Sequence, residues 1–326
     1  MVRFICLSFI LLVQACQPVP KYHNLVDTPY ATGGSNAWSA TWALFFQDDP
    51  KSFPDHELPI KKFHPSDLKG DFEAVWIGHA TVLVKLGPYL VLTDPVFSER
   101  LSPVSWFGPK RFNKLPLNLD ELPEIDAVVI SHDHQDHLDA KTIEILKNKT
   151  KMFYVPLDVM QFLLDWGVPQ EKITEMGWWQ SKKQGDLEII CTPARHFSGR
   201  GIVAYNQTLW SSWVFKYKNR RAFFAGDTGL FPGFKEIGER LGPFDVSLMP
   251  IGAYDIYWAG IHMTPEEAVA AHKMLNAKLI IPIHWGTFDL SRHAWDEPIH
   301  RFKDEVLKEK IKFFIPLPGE IVHIKE

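Results

Sequence analysis

Three histidines and two aspartates fall within six residues in the run Ser131-His132-Asp133-His134-Gln135-Asp136-His137. So many titratable groups beside a core are costly unless something binds them. Neutral imidazole and carboxylate are ligands for zinc and similar divalent ions, and Asp136 with the alternate histidines repeats a metal-ligand spacing. The run follows the apolar stretch 127–131, so its side chains emerge from a sheet edge into a loop, and Asp139 suits the N-cap of the next helix. Three more apolar runs end the same way: Cys191-Thr192-Pro193-Ala194-Arg195-His196, Phe223-Phe224-Ala225-Gly226-Asp227 and Ile280-Ile281-Pro282-Ile283-His284. A lone histidine after a strand is usually structural. Four such segments fit one site at a shared sheet edge better, and together His132, His134, Asp136, His137, His196, Asp227 and His284 offer donors enough for two metals.

The elements that must position these residues alternate short β-type runs with helical ones from about residue 72 onward. Strands are expected at 72–77, 81–86, 90–93, 127–131, 152–155, 187–191, 213–217, 221–225, 246–249, 279–282, 312–315 and 321–324. Helices are expected at 140–147, 157–166, 234–240, 265–275 and 297–309. Thr264-Pro265-Glu266-Glu267 has the form of a helix start, with Thr as N-cap, Pro next and acids in the first turn. No internal repeat is visible and strands outnumber helices, so the fold class is α/β with helices covering sheets. No composition break divides 72–326.

A chain of 326 residues with 46% hydrophobic and 23% charged residues is a folded globular protein. Its 35 basic and 39 acidic residues leave a net charge of -4 and no basic stripe, which disfavours nucleic acid as a partner. The 23 Phe and 12 Trp suit an apolar ligand or a bilayer contact. At the N-terminus Arg3 precedes the apolar run 4–13, shorter than the roughly 20 residues a membrane span needs and of signal-peptide length. Val13-Gln14-Ala15-Cys16 resembles a bacterial lipobox, in which Cys16 becomes the lipidated first residue; plain secretion is the alternative. Residues 1–16 thus read as a signal segment, 17–71 as an irregular arm and 72–326 as the catalytic domain, placed in the cell envelope. Within the arm, Trp38, Trp42, Phe45 and Phe46 form a helical stripe that either packs on the domain or meets lipid. Cys191, left alone once Cys6 and Cys16 are accounted for, reads as a small core residue.

The motif His-x-His-x-Asp-His, followed by His196, Asp227 and His284, resembles the metallo-β-lactamase superfamily. Within it the sequence is similar to the N-acylphosphatidylethanolamine-hydrolysing phospholipase D group. Supporting segments include Trp76-Ile77-Gly78-His79-Ala80-Thr81, Leu92-Thr93-Asp94-Pro95, Gly108-Pro109-Lys110-Arg111-Phe112 and Ile283-His284-Trp285-Gly286. The resemblance implies a four-layer αββα sandwich with two zinc ions at one edge. His132, His134 and His196 would hold the first ion, Asp136, His137 and His284 the second, and Asp227 would bridge them. Asp94 would orient a ligand histidine, although an ordinary turn aspartate reads the same way. His262, before Met263-Thr264-Pro265, would contact substrate or else only cap or line the surface. Gln135 stands where the group has an aromatic substrate contact.

The chemistry this implies is hydrolysis of a phosphodiester in a phospholipid. Two divalent cations less two carboxylates leave a double positive charge, which a bridging hydroxide and a phosphodiester monoanion would cancel. Asp136 would orient the in-line attack and His262 would answer the leaving alkoxide. Trp106 and Phe107, Trp178 and Trp179, and the stretch from Tyr254 to Trp258 could form an acyl-chain groove or pack in the core. Lys110 and Arg111 form a solvated basic pair by default. A lactonase or another ester hydrolase would use the same site. A lipid-anchored binding protein with structural metals is a rival of another class, though structural zinc sites are typically closed and four-coordinate. A membrane surface, through Cys16 and aromatic residues, and a second copy of the chain are the remaining expected partners.

Overall fold

Along β1 (Phe72–Gly78) every residue is buried, with Phe72, Ala74 and Trp76 in one apolar cluster and Val75 and Ile77 in another. Successive strand side chains point to opposite faces, so a strand buried on both faces must lie in a sheet that is covered twice. A computed structural model shows why; it describes residues 19–28, 51–102, 106, 108–200 and 205–325. The signal segment with Cys16, the 38–46 stripe and Phe107 lie outside the described residues.

Among the described residues β1 joins β2 (Thr81–Leu86), β3 (Tyr89–Thr93), β4 (Ile125–Val129), β5 (Thr150–Pro156), β6 (Ile173–Met176) and β13 (Ile321–His323) in a seven-stranded sheet, ordered β13-β1-β2-β3-β4-β5-β6. A six-stranded sheet runs β12-β11-β10-β9-β8-β7, built from β7 (Ser181–Gln184), β8 (Leu187–Thr192), β9 (Ser212–Tyr217), β10 (Arg220–Phe224), β11 (Val246–Pro250) and β12 (Ile280–Ile283). Between the sheets Trp76, Val82 and Val129 meet Ile189, Trp213, Phe224 and Leu248. The outer face of the first sheet packs on the helices Ala140–Leu146 and Met160–Asp165 through Val128 and Phe153 against Ile143 and Leu163. The outer face of the second packs on Gly233–Leu241, Pro265–Met274 and Glu297–Lys308 through Phe223 and Met249 against Phe234, Val269 and Phe302. The result is the αββα sandwich.

Strand direction places the chemistry. β3, β4 and β5 are parallel, and so are β10, β11 and β12. Two antiparallel steps, β1 to β2 to β3 and β8 to β9 to β10, give β1 and β8 the same sense as their sheet. Asp94, the His132–His137 loop, His196, Asp227 and His284 therefore all lie just beyond C-terminal strand ends, where open α/β sheets commonly place ligands.

The expected strand at 312–315 is absent: that segment makes only an isolated bridge between Phe313 and Ile280. β6 and β7 were not foreseen, since Ser181-Lys182-Lys183-Gln184 is a mostly exposed edge with no apolar alternation to read. Asp139 holds the N-cap position, but its carboxylate accepts from Ser98 N, Ser98 Oγ and Thr142 Oγ1 instead of capping the helix backbone. Thr264 does cap its helix, with Glu267 completing the box. Cys191 is free and buried between the sheets. None of the helices among the described residues is long and apolar enough to cross a membrane.

His272 is buried within the helix Pro265–Met274, 2.8 Å from Ser247 Oγ, and burial pushes its imidazole down to about 4. The unfolded chain binds that proton below about pH 6.5 while the folded chain refuses it until pH 4. Stability from this group is thus present above pH 6.5 and is lost as pH falls toward 4. In urea titrations of metal-depleted protein, His272→Gln should remove about 2 kcal/mol of the wild-type stability loss between pH 8 and pH 5. Parallel pH profiles for the two proteins would contradict this.

Candidate metal centre

The loop after β4 turns back on itself, with the N–H groups of His137 and Leu138 both bonded to His134 O. This turn aims three imidazoles into the gap between the sheet ends. His132 Nε2 lies 2.8 Å from His134 Nδ1, and His196 Nε2 lies 3.3 Å from the same atom. Beside them His137 Nε2 and His284 Nε2 are 3.2 Å apart. Asp136 Oδ2 stands 3.3 Å from the former and 3.5 Å from the latter. Asp227 lies between the two groups: Oδ2 is 3.0 Å from His137 Nε2 and 4.0 Å from His196 Nε2, and Oδ1 is 3.1 Å from His284 Nε2. All seven expected donors are thus brought together, and their ligand atoms fall into overlapping sets close enough to share an ion.

Asp94 Oδ2 lies 2.6 Å from His137 Nδ1, while Asp94 also accepts from Ser131 N at 2.6 Å and Ser131 Oγ at 2.5 Å. An imidazole bonded through Nδ1 presents Nε2 in a fixed direction. His196 is braced differently, with Nδ1 3.1 Å from Ile261 O. Its backbone is gripped by Asn24, whose Nδ2 donates to His196 O at 2.7 Å and whose Oδ1 accepts from His196 N and Trp210 Nε1, each at 3.0 Å. Composition alone reads residues 17–71 as an irregular arm; in the fold that arm is part of the support of the site. Gly226, at φ +60°, precedes Asp227, and a Cβ there would lie 2.5 Å from Ser131 Cβ. Only glycine lets the Asp227 loop close on the histidine loop.

The electrostatics suit a cation. Burial holds His132, His134 and His196 below the ordinary imidazole range, so their lone pairs are free of protons. Burial opposes charge on Asp136 and Asp227 too, but the neighbouring histidines, His137 foremost, outweigh it and hold both well below the carboxylate range. His137 and His284 are raised in turn, because Asp227 and Asp136 outweigh burial; His284 reaches about 9. Protons there occupy the place of a cation between two buried carboxylates. Asp227 Oδ1 and His262 Nδ1 are buried without a hydrogen bond, which leaves coordinating atoms unspent. This donor set fits divalent metal.

His262 is brought to the edge of the cluster, its Nδ1 3.7 Å from Asp227 Oδ2, and burial pushes it down to about 4. Beyond it lies a cavity of about 550 Å³ whose walls include Tyr254, Ile256, Arg292 and Arg301. Both arginines are paired, Arg292 with Asp255 at 2.7 Å and Arg301 with Glu266 at 2.7 Å. Gln135 is partly exposed in the histidine loop. Of the other aromatics weighed for a groove, Trp178 packs on the core with Nε1 bonded to Trp210 O, and Trp179 packs under Arg240 at 3.7 Å. Trp106 is 77% exposed. The basic pair divides: Lys110 is exposed beside Glu99 at 2.9 Å, whereas Arg111 is buried, bonded to Val96 O at 2.7 Å and stacked over Phe288 at 4.7 Å. Arg111 is therefore no solvated headgroup contact; it ties the Asp94 turn to the His284 loop.

One residue of the cluster was missed from sequence. His79, in the turn between β1 and β2, sets Nε2 3.0 Å from Asp136 Oδ2 and its ring centroid 3.9 Å from that of His284, tilted by 40°. It belongs to the group formed by Asp136, His137 and His284. It follows an apolar strand just as the other ligands do, and that signal could have found it.

Residues 89–285 match the profile of the β-lactamase superfamily domain. The chain is a metal-dependent hydrolase of the metallo-β-lactamase superfamily. This hydrolase is 40% identical over 266 residues to the N-acyl-phosphatidylethanolamine-hydrolyzing phospholipase D 1 of Caenorhabditis elegans, covering 78% of the chain and 74% of the relative. It is 46% identical to an uncharacterised protein of Mycobacterium tuberculosis across 81% of the chain and 73% of the relative. Among solved structures, the metallo hydrolase Igni18 of Ignicoccus hospitalis shares the fold with a TM-score of 0.59 at 24% identity, over 77% of this chain and 97% of that one.

The raised His284 predicts the acid sensitivity of metal loading. Near neutral pH its proton must leave before the nitrogen can coordinate, so binding releases protons and apparent affinity falls as pH drops below about 9. Titrating metal-free hydrolase with Co2+ in weak buffer at pH 7 should release at least about one proton per chain; no release would refute the assignment. Asn24→Ala should weaken metal binding about tenfold by freeing the His196 backbone, measured by competition with a chromophoric chelator; wild-type affinity would remove that role.

Proposed function

We propose that this hydrolase cleaves a phosphodiester bond in a phospholipid, of the N-acylphosphatidylethanolamine kind, using two zinc ions. The observation that carries the reading is Asp227, a carboxylate standing between two donor groups, with His262 beside it at the wall of the cavity. His132, His134 and His196 would hold one ion and Asp136, His137 and His284 the other. The nitrogen-rich set favours zinc over harder cations. Bound there, such ions supply Lewis acidity and ionise water near neutral pH. The substrate class rests on the identity with the worm phospholipase, and the binding of an anionic diester agrees with the charge left when two cations meet two carboxylates.

The chain's own residues then take distinct parts. The Asp136 side chain is 16% exposed against 1% for Asp227, so it is the carboxylate that meets an incoming water and accepts its hydrogen bond. His262, neutral at pH 7, donates a hydrogen bond to a phosphoryl oxygen at the cavity wall. It precedes the helix Pro265–Met274, whose N-terminus favours an anion. Gln135 faces the headgroup, and Tyr254 and Ile256 take acyl chain in the cavity. A lipidated Cys16 would hold the hydrolase at the envelope membrane, where its substrate lies.

Metal analysis joined to mass spectrometry of lipid products tests the reading. Wild-type protein should hold two zinc ions and release phosphatidic acid from N-acylphosphatidylethanolamine. Asp136→Asn should lose about 10²–10⁴-fold in turnover. His262→Gln should lose turnover with zinc content unchanged; loss of metal would instead make His262 a ligand beside His196 and Asp227. Identical lipid processing by wild type and Asp136→Asn would overturn the mechanism, and preference for acyl-lactones would make the enzyme a lactonase.

A further inference from the structure

His79 lies outside the donor set just assigned, yet its backbone is held by hydrogen bonds on both sides. Gly78 has φ 140° and His79 itself φ 53°, a left-handed conformation that is unfavourable for a side-chain-bearing residue. Such strain persists only where surrounding structure over-determines it, and it clusters at functional sites. Here three groups clamp the turn, two of them distant in the chain. Thr287 Oγ1 accepts from His79 N at 2.9 Å, while His79 O accepts from Trp76 Nε1 at 2.8 Å and from His284 N at 2.9 Å. The same backbone oxygen thus couples the His79 turn to His284 itself. The clamped side chain is 2% exposed and points at one atom, Asp136 Oδ2, 3.0 Å from Nε2.

Asp136 needs such a partner. It is the most exposed of the cluster's carboxylates. Its Oδ2 is also the oxygen that faces His137 and His284, at 3.3 and 3.5 Å from their Nε2 atoms. We infer that His79 is a positioning residue: its Nε2–H donates to Asp136 Oδ2, fixes the carboxylate against the second ion, and leaves Oδ1 turned to the incoming water. This rests on the two-ion reading and is independent of the substrate. A histidine as a fifth protein donor would instead close the position that catalysis needs open.

Glutamine keeps an N–H donor where Nε2 lies but coordinates metal poorly, so it separates the two roles. His79→Ala should bind the second ion about 10–100-fold more weakly, with the first ion, on His132, His134 and His196, unaffected. His79→Gln should restore that affinity to within about threefold of wild type. Stepwise competition titrations read both, and the visible spectrum of the Co2+-loaded protein should shift in His79→Ala and return in His79→Gln. Thermal unfolding of the metal-depleted variants shows that each is folded. Two ions bound by His79→Ala as by wild type would overturn the inference. A His79→Gln variant as weak as His79→Ala would do so too, since His79 would then hold metal directly. Wild-type protein taking fewer than two ions would defeat the two-ion reading and the inference with it, whereas two ions in a protein inert toward lipids would defeat the substrate assignment alone.

Discussion

Two ionised carboxylates, the partly exposed Asp136 and the buried Asp227, stand among imidazoles at the joined edges of two sheets, and the rest of the molecule answers to that fact. Buried charge of one sign is sustainable only with charge of the other sign close by. Without metal the balance comes from protons on His137 and His284. A divalent cation supplies it better, since it can be approached by several donors at once. The site is therefore built as a receptor for positive charge whether or not an ion is in place.

Holding those charges apart from water and in register is the work of side chains far away in the chain. Asp94 fixes His137, Asn24 fixes the backbone of His196, and Arg111 spans from the Asp94 turn to the loop after His284. His79, Asp94 and His284 all adopt positive φ, and Gly226 shares it. Strain at the three non-glycine turns is borne by the sandwich, whose doubly covered strands leave their ends little freedom to relax. The surface beside the site is gentler. Burial holds His262 neutral, and the arginines of the cavity are paired.

Most of the strands legible in the sequence carry apolar runs that the fold buries, such as Leu187–Thr192 and Val246–Pro250. β7 and β6 escaped notice since an exposed edge such as Ser181-Lys182-Lys183-Gln184 carries little hydrophobic signal. The segment 312–315 misled for the opposite reason: it is apolar because Phe313 packs against the helix residue Phe302, not because it pairs in a ladder. Arg111 looked like half of a basic surface pair, and only the fold showed its guanidinium buried over a phenyl ring. Trp178 and Trp179 looked like groove candidates and proved to be packing residues.

What the sequence determined by itself was the chemistry of the donors and the strand-then-ligand pattern that carries them. Residue type fixes which atoms can coordinate, and alternation fixes which runs become buried strands. What tertiary structure decided was adjacency: which carboxylate lies between the groups, that Asn24 from the N-terminal arm reaches His196, and that His79 meets Asp136. The last two contacts join residues separated by 172 and 57 positions. No local propensity reports such distances; they arise only when two sheets close on a common core.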